Sequence, residues 1–289
     1  MKILLIGNGF IARSLVHRLE QSGHELLIYS RTVNNDLSSR QIEGDIFDFQ
    51  NFVKVFSWKP QVIVHTAWIT TPGIYRNDPS NLDYANFTIN LANHVRNSEV
   101  QHLIILGTCA EYGSQIGPST AGITKLLPNN LYSKEKVAAF TAVNELLLKS
   151  DTRLTWARLF YPYGPYQHEK RLIPFLVHAI KNSNPIHLED VSSVYDWITI
   201  RDVSSAILWA IDHQLPIEID IGTSVGTTNL ELLSVLMEML PTEKKQITLS
   251  NHDIGKGEVF VMGENSPLLK SGWLPKDTLR TGLEWVLEN

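Results

Sequence analysis

Four consecutive apolar residues, Ile3-Leu4-Leu5-Ile6, run into Gly7-Asn8-Gly9, and a helical pattern begins at once behind them. Ile11, Leu15, Val16 and Leu19 fall on one face of that helix, with Arg13, His17, Arg18 and Glu20 on the other. A buried strand that becomes an amphipathic helix within three residues is the opening of a parallel α/β layer. The turn reads G-x-G-x-x-A. Gly7 permits the tight reversal, Gly9 lets a pyrophosphate approach the backbone, and small Ala12 allows the helix to pack on the sheet. The helix N-terminus then offers unpaired N–H groups and a positive dipole to phosphates. In isolation, an ordinary glycine-rich turn without a ligand would look the same.

The second strand, residues 24–29, ends at Ser30-Arg31-Thr32, and no acidic residue follows before Asp36. A carboxylate at this point suits the ribose 2′-hydroxyl of NAD, whereas an arginine suits a 2′-phosphate. NADP(H) is therefore the preferred cofactor, with Arg31 as the phosphate contact and NAD(H) as the alternative. The alternative is that Arg31 is a solvated loop residue and the protein is indifferent between the two.

A further buried strand, residues 100–106, leads to Gly107-Thr108-Cys109-Ala110-Glu111-Tyr112-Gly113. Ligands of open parallel sheets bind beyond the carboxyl ends of strands, which puts a Thr108 hydroxyl within reach of one. Tyr132 and Lys136 stand four apart at the start of a pattern continued by Val137, Phe140, Val143 and Leu147, so they share a helix face. A neighbouring ammonium is expected to lower the tyrosine pKa. Tyr132 then exchanges a proton with a carbonyl oxygen that Thr108 also holds. Thr108, Tyr132 and Lys136 are the candidate catalytic residues.

With these motifs, the chain resembles the extended short-chain dehydrogenase/reductases, the NAD-dependent epimerase/dehydratase family. Gly9-Phe10-Ile11 resembles that family's glycine turn, Gly44-Asp45-Ile46 its adenine-contacting segment, and Val64-His65-Thr66-Ala67 the end of its fourth strand. The resemblance thus adds Phe10, Ile11, Asp45, Ile46, Thr66 and Ala67 to Gly7, Gly9 and Arg31 as cofactor-binding residues, with Tyr132 and Lys136 also touching the cofactor. Arg158 to Pro165, Arg171-Leu172-Ile173-Pro174, Tyr195-Asp196-Trp197-Ile198, Ile200-Arg201-Asp202-Val203 and Gly272-Trp273-Leu274-Pro275 resemble later landmarks. The family's usual first glycine falls at Ile6 and its third at Ala12. Cys109-Ala110 replaces the Asp-Glu pair of the sugar dehydratases, which argues against dehydration. An arginine that contacts the substrate diphosphate in many members falls at Tyr195; Arg171 or Arg201 is the expected substitute. The runs around His65–Trp68, Pro72–Tyr75 and Thr108–Tyr112 are most similar to reductases of nucleoside-diphosphate 4-keto-6-deoxysugars. The resemblance therefore places Trp68, Cys109, Tyr161, Arg171 and Tyr195 at the nucleotide-sugar substrate. Trp68 reads equally well as a packing residue; Cys109, with no cysteine–histidine pairing in the sequence, reads as a small residue lining the cofactor cleft rather than as a nucleophile.

At 289 residues, 43% hydrophobic and 19% charged, the chain has an ordinary globular composition. A net charge of −5 provides no long-range attraction to nucleic acid or anionic membrane. The single cysteine, Cys109, excludes an internal disulfide and fits a reducing compartment. The first apolar run is too short for a secretory signal, and no stretch approaches membrane-spanning length. A cytoplasmic protein is expected. Histidines without metal-ligand spacing argue against a metal site.

Strand candidates at 2–6, 25–29, 61–65, 103–106 and 154–158 alternate with helical patterns, among them 81–97. Later helices are expected near 172–181, 229–239 and 278–287. The expected fold is α/β, a Rossmann-type doubly wound parallel sheet with a small C-terminal substrate-binding lobe. Residues 1–160 form the NAD(P)-binding domain and 161–289 mainly the substrate lobe, the two interleaved. The resemblance implies a homodimer. The expected activity is NAD(P)H-dependent reduction of the 4-keto group of a nucleotide-linked 6-deoxysugar. The alternatives are a nucleotide-sugar 4-epimerase that retains NAD, and a non-catalytic NADPH sensor.

Overall fold

A computed structural model describes residues 1–35, 37–114, 117–240, 247–250, 260–264 and 266–289, so Asp36 lies outside the described residues. In chain order the strands of the main layer are β1 (Lys2–Ile6), β2 (Glu25–Ser30), β3 (Arg40–Glu43), β4 (Val62–His65), β5 (His102–Thr108) and β6 (Arg153–Leu159). The short strands β7 (Tyr161–Tyr163), β8 (Ile186–Glu189) and β9 (Val194–Thr199) follow. After them come β10 (Glu218–Ile221), β11 (Gly226–Thr228), β12 (Ile247–Ser250) and β13 (Phe260–Val261). A seven-stranded sheet has the order β10-β6-β5-β4-β1-β2-β3, with every pairing parallel. The order reverses beside β1, which opens a crevice between the carboxyl ends of β1 and β4.

The side-chain alternation of β1 shows why the sheet is covered on both faces. Ile3 and Leu5 enter one core with helices α1 (Phe10–Gln21) and α6 (Ile200–Asp212). Leu4 and Ile6 enter another beneath α3 (Asn81–Val95) and α4 (Leu131–Leu147). Phe140, Val143 and Leu147 are buried against the sheet within the chain itself. A one-turn helix, α2 (Phe49–Phe52), completes this half.

A third core joins α5 (Leu172–Lys181), α7 (Asn229–Met239) and α9 (Leu279–Glu288) through Ile173, Leu176, Leu232, Leu236 and Leu283. It lies against a small sheet of β11, β9 and β13, with β7 also paired to β9. The last turn before α9 is α8 (Pro267–Lys270). Between these pieces the chain returns to the large layer. Ser204 on α6 bonds Ser14 on α1 at 2.9 Å, and β10 pairs with β6.

The strands expected at 2–6, 25–29, 61–65, 103–106 and 154–158 are found with ends shifted by no more than two residues, and the helix expected over 81–97 stops at Val95. β3 and β10 were not expected. β3 is a polar edge strand, Arg-Gln-Ile-Glu, and the buried Asp220 interrupts the apolar run of β10.

Candidate active site

The glycine turn lies on the end of β4. Gly7 has φ +105°, and a Cβ there would stand 2.8 Å from Thr66 Oγ1 and 3.2 Å from the Ala67 nitrogen. Thr66 in turn donates its hydroxyl to the Ile6 carbonyl at 2.8 Å. Gly9 differs: it is the N-cap of α1 with no side-chain cap, and a Cβ added there would meet nothing within 4 Å. Space over the backbone at an uncapped helix start fits a dinucleotide pyrophosphate. Phe10 and Ile11 begin the helix and are partly buried.

Asn8 donates to the Thr32 carbonyl at 2.6 Å, which ties the glycine turn to the end of β2 and sets exposed Arg31 beside it. Asp45 accepts the Phe47 N–H at 3.0 Å, and Ile46 is buried behind it.

Thr108 closes β5; Tyr132 reaches it from the first turn of α4, and Lys136, one turn on, reaches the Leu106 carbonyl of the same strand; all three are buried. The Asn130 side chain caps α4 by accepting the Ser133 N–H at 3.0 Å, and the Tyr132 N–H bonds the Arg76 carbonyl at 2.9 Å. The Thr108 hydroxyl lies against the Tyr132 phenol and favours its ionised form, but burial dominates and pushes the phenol up. The expected lowering of Tyr132 by Lys136 is therefore corrected. The ammonium is directed elsewhere: it donates to the Leu106 carbonyl at 2.6 Å and sits 3.6 Å from the Trp68 ring centroid. Burial lowers Lys136 to about 7, opposed by the negative charge of Glu111.

The cleft wall next to Tyr132 is aromatic and basic. Tyr75 meets the Tyr132 ring edge-on at 5.0 Å, and Arg171 lies 5.3 Å over the Tyr75 ring while bonding the Thr70 carbonyl. The exposed Arg76 guanidinium reaches the Tyr75 hydroxyl at 3.5 Å, a bond that favours its charged form. Tyr161 packs on Tyr195 at 4.5 Å and on Trp197 at 5.3 Å. Neither Arg76 nor Arg171 is ion-paired among the described residues. Arg201, the other expected diphosphate arginine, instead grips Asp277 through two nitrogens and stacks on Trp285, which takes it out of contention.

Two sequence candidates make their contacts inside the chain. Trp68 stacks on Tyr84, bonds Asn81 through Nε1 at 2.8 Å and carries the Lys136 ammonium on its face. Cys109 is buried, and burial raises its thiol far from thiolate chemistry. His65 is buried, bonded to Thr88 at 3.0 Å and held neutral by burial, its pKa lowered to about 3. Among the described residues, no group of three or more His, Cys, Asp or Glu is placed to hold a metal ion. Among them too, no helix is long and apolar enough to cross a membrane.

The model of the NAD dependent epimerase/dehydratase family matches residues 3–222. The chain belongs to this family. GDP-L-fucose synthase 1 of Arabidopsis thaliana is 24% identical to the chain over 315 aligned positions, spanning 100% of this chain and 94% of the relative. A UDP-glucose 4-epimerase of Thermotoga maritima, solved with UDP-glucose, superposes with a TM-score of 0.87 at 21% identity, over 100% of this chain and 98% of that one. The UDP-glucose 4-epimerase of Thermus thermophilus, solved with NAD, has the same TM-score of 0.87 at 20% identity and the same two coverages.

Three residues of this epimerase/dehydratase family member were not singled out from the sequence. Tyr75 and Arg76 sit in a loop without periodicity, and their place beside Tyr132 depends on α4 docking there. Glu111 is fully buried with Arg158, a pairing between residues 47 apart. A charged residue in the apolar run after a strand was the one available signal, and it names no partner.

Proposed function

We propose that the protein is an NADPH-dependent reductase of the 4-keto group of a nucleotide-linked 6-deoxysugar. The observation that carries this reading is the meeting of Thr108, Tyr132 and Lys136 at the end of β5, in the sheet whose β1 turn has an open, uncapped cradle at Gly9. When bound, the nicotinamide supplies the hydride. Tyr132 holds the proton at Oη and releases it to the substrate oxygen as negative charge develops there; its raised pKa keeps that proton in place before reaction. Thr108 orients the same oxygen. Lys136, buried on Trp68 and bonded to the Leu106 carbonyl, is the residue that would hold the nicotinamide ribose through its other N–H donors. Tyr161 and Tyr195 offer faces to the sugar, and Arg76 and Arg171 bring positive charge for the diphosphate of an anionic substrate to the cleft wall.

Exposed Arg31 at the end of β2 favours NADPH, and with it net reduction over a 4-epimerase that retains NAD. Cys109-Ala110, without an acid pair after Thr108, speaks against dehydration. The reading includes a cytoplasmic homodimer, pairing through the α3–α4 face lined by Ile89, Leu146 and exposed Leu148.

The test is incubation with NADPH and a set of nucleoside-diphosphate 4-keto-6-deoxyhexoses, following nicotinamide oxidation and sugar product together. Stoichiometric oxidation with a 4-hydroxy product supports the reading. Interconversion of ordinary nucleotide sugars without net oxidation replaces it with the epimerase.

A further inference from the structure

Between the site and the middle of the sheet runs a buried polar chain that the proposed reaction does not use. Its centre is Glu111, in the short helical turn that follows Thr108. Glu111 Oε1 accepts the Thr108 backbone N–H at 2.8 Å, and both carboxylate oxygens lie 3.1 Å from Trp156 Nε1. Arg158 Nε meets Oε2 at 2.6 Å, and its other arm reaches Glu218 on β10 at 2.7 Å. Both side chains of the Glu111–Arg158 pair are fully buried.

A helix cap alone would not need this arrangement. A neutral side chain accepts a backbone N–H as well, whereas a buried carboxylate carries a desolvation cost of several kcal/mol that a partner such as Arg158 has to offset. The neighbouring residue is shaped to admit it: a Cβ on Gly107 would stand 2.4 Å from Trp156 Nε1 and 2.7 Å from Glu111 Oε1. Glu111 is thus anchored from β6 and, through Arg158, from β10, and it grips the backbone of the residue whose hydroxyl faces Tyr132. The Thr108 side chain completes the lock. Its oxygen accepts the Ala110 N–H at 3.3 Å, which leaves the hydroxyl proton free for Tyr132.

We propose that Glu111, clamped by Arg158, is the positioning residue that fixes the Thr108 hydroxyl for catalysis; this rests on the reductase reading. Glu111 touches neither substrate nor cofactor and acts through Thr108. The experiment is a double-mutant cycle of Glu111→Gln and Thr108→Ala, measured with the substrate that the wild type reduces. Gln keeps the shape and an acceptor but loses the charge that Arg158 holds.

Glu111→Gln is expected to lower kcat about tenfold, the effect of a small misplacement of a catalytic group, with KM for the dinucleotide unchanged. In the Thr108→Ala background the same change is expected to alter kcat less than about twofold, because the group it positions is gone. An undiminished loss in that background, or a rise in dinucleotide KM, would mean a general structural role and overturn the proposal. A second readout is independent of turnover. In protein labelled with ¹⁵N-threonine, the Thr108 amide, donated to a carboxylate, should resonate downfield and exchange slowly, and Glu111→Gln should shift it upfield and speed its exchange. If the wild type reduces no substrate, the reductase reading fails; an unmoved Thr108 amide overturns the positioning by itself.

Discussion

Replacing Lys136 with methionine should remove turnover and make the cofactor-free protein more stable. Burial lowers the Lys136 ammonium from its ordinary 10.5 to about 7. At ~1.36 kcal/mol per pH step, that displacement corresponds to at most about 5 kcal/mol of native-state destabilisation. The sign follows from proton binding. Between about pH 7 and 10.5 the unfolded chain holds this proton more often than the folded one, so stability rises with pH across that window. Below pH 7 the whole penalty is present; by pH 9 about 2 kcal/mol of it remains.

Methionine carries no charge, fits the Trp68 face and leaves the Leu106 carbonyl without its ammonium donor, at a cost of about 1 kcal/mol. The variant should therefore be roughly 3–4 kcal/mol more stable than wild type at about pH 6, and about 1 kcal/mol more stable at about pH 9. Urea unfolding at both pH values, without dinucleotide, measures this. A variant no more stable at the lower pH, or a gain that does not shrink at the higher one, would show that Lys136 is not held as a strained buried cation.

Tyr132→Phe should lower turnover by about 10²–10⁴ while dinucleotide affinity, read by fluorescence titration, stays within about twofold. The two glycines of the first turn should separate folding from binding. Gly7→Ala meets Thr66 Oγ1 at a positive φ and should destabilise by roughly 1–3 kcal/mol in urea. Gly9→Ala meets nothing and should leave stability within about 0.5 kcal/mol while weakening the dinucleotide. Arg158→Met should strand the buried Glu111 carboxylate and lower stability by about 3–5 kcal/mol at neutral pH, read from the urea midpoint. A loss under about 1 kcal/mol would mean that Glu111 finds other compensation.

Local pattern determined a good deal of this protein. Ile3 to Ile6 reads as a buried strand, and the glycines behind it as a turn into a helix, because apolar period and glycine freedom are properties of neighbouring residues. Tyr132 and Lys136 shared a face for the same reason, as any residues four apart on a helix do. What the Lys136 ammonium touches was decided by tertiary structure. It turns to the Leu106 carbonyl and the Trp68 ring, both brought to it from elsewhere in the chain, and burial, not the neighbouring charge, sets the Tyr132 phenol. In the sequence Arg201 is as available as Arg171; in the fold Asp277 and Trp285 occupy it. The Glu111–Arg158 pair needed β5 and β6 to lie side by side, and the arginine pair around Tyr75 needed the small lobe to close on a loop. Short-range order follows from backbone geometry and apolar spacing, which the chain carries in itself. Charge pairing, burial and the pKa values they set depend on distances between segments far apart in sequence, and those exist once the sheet has assembled.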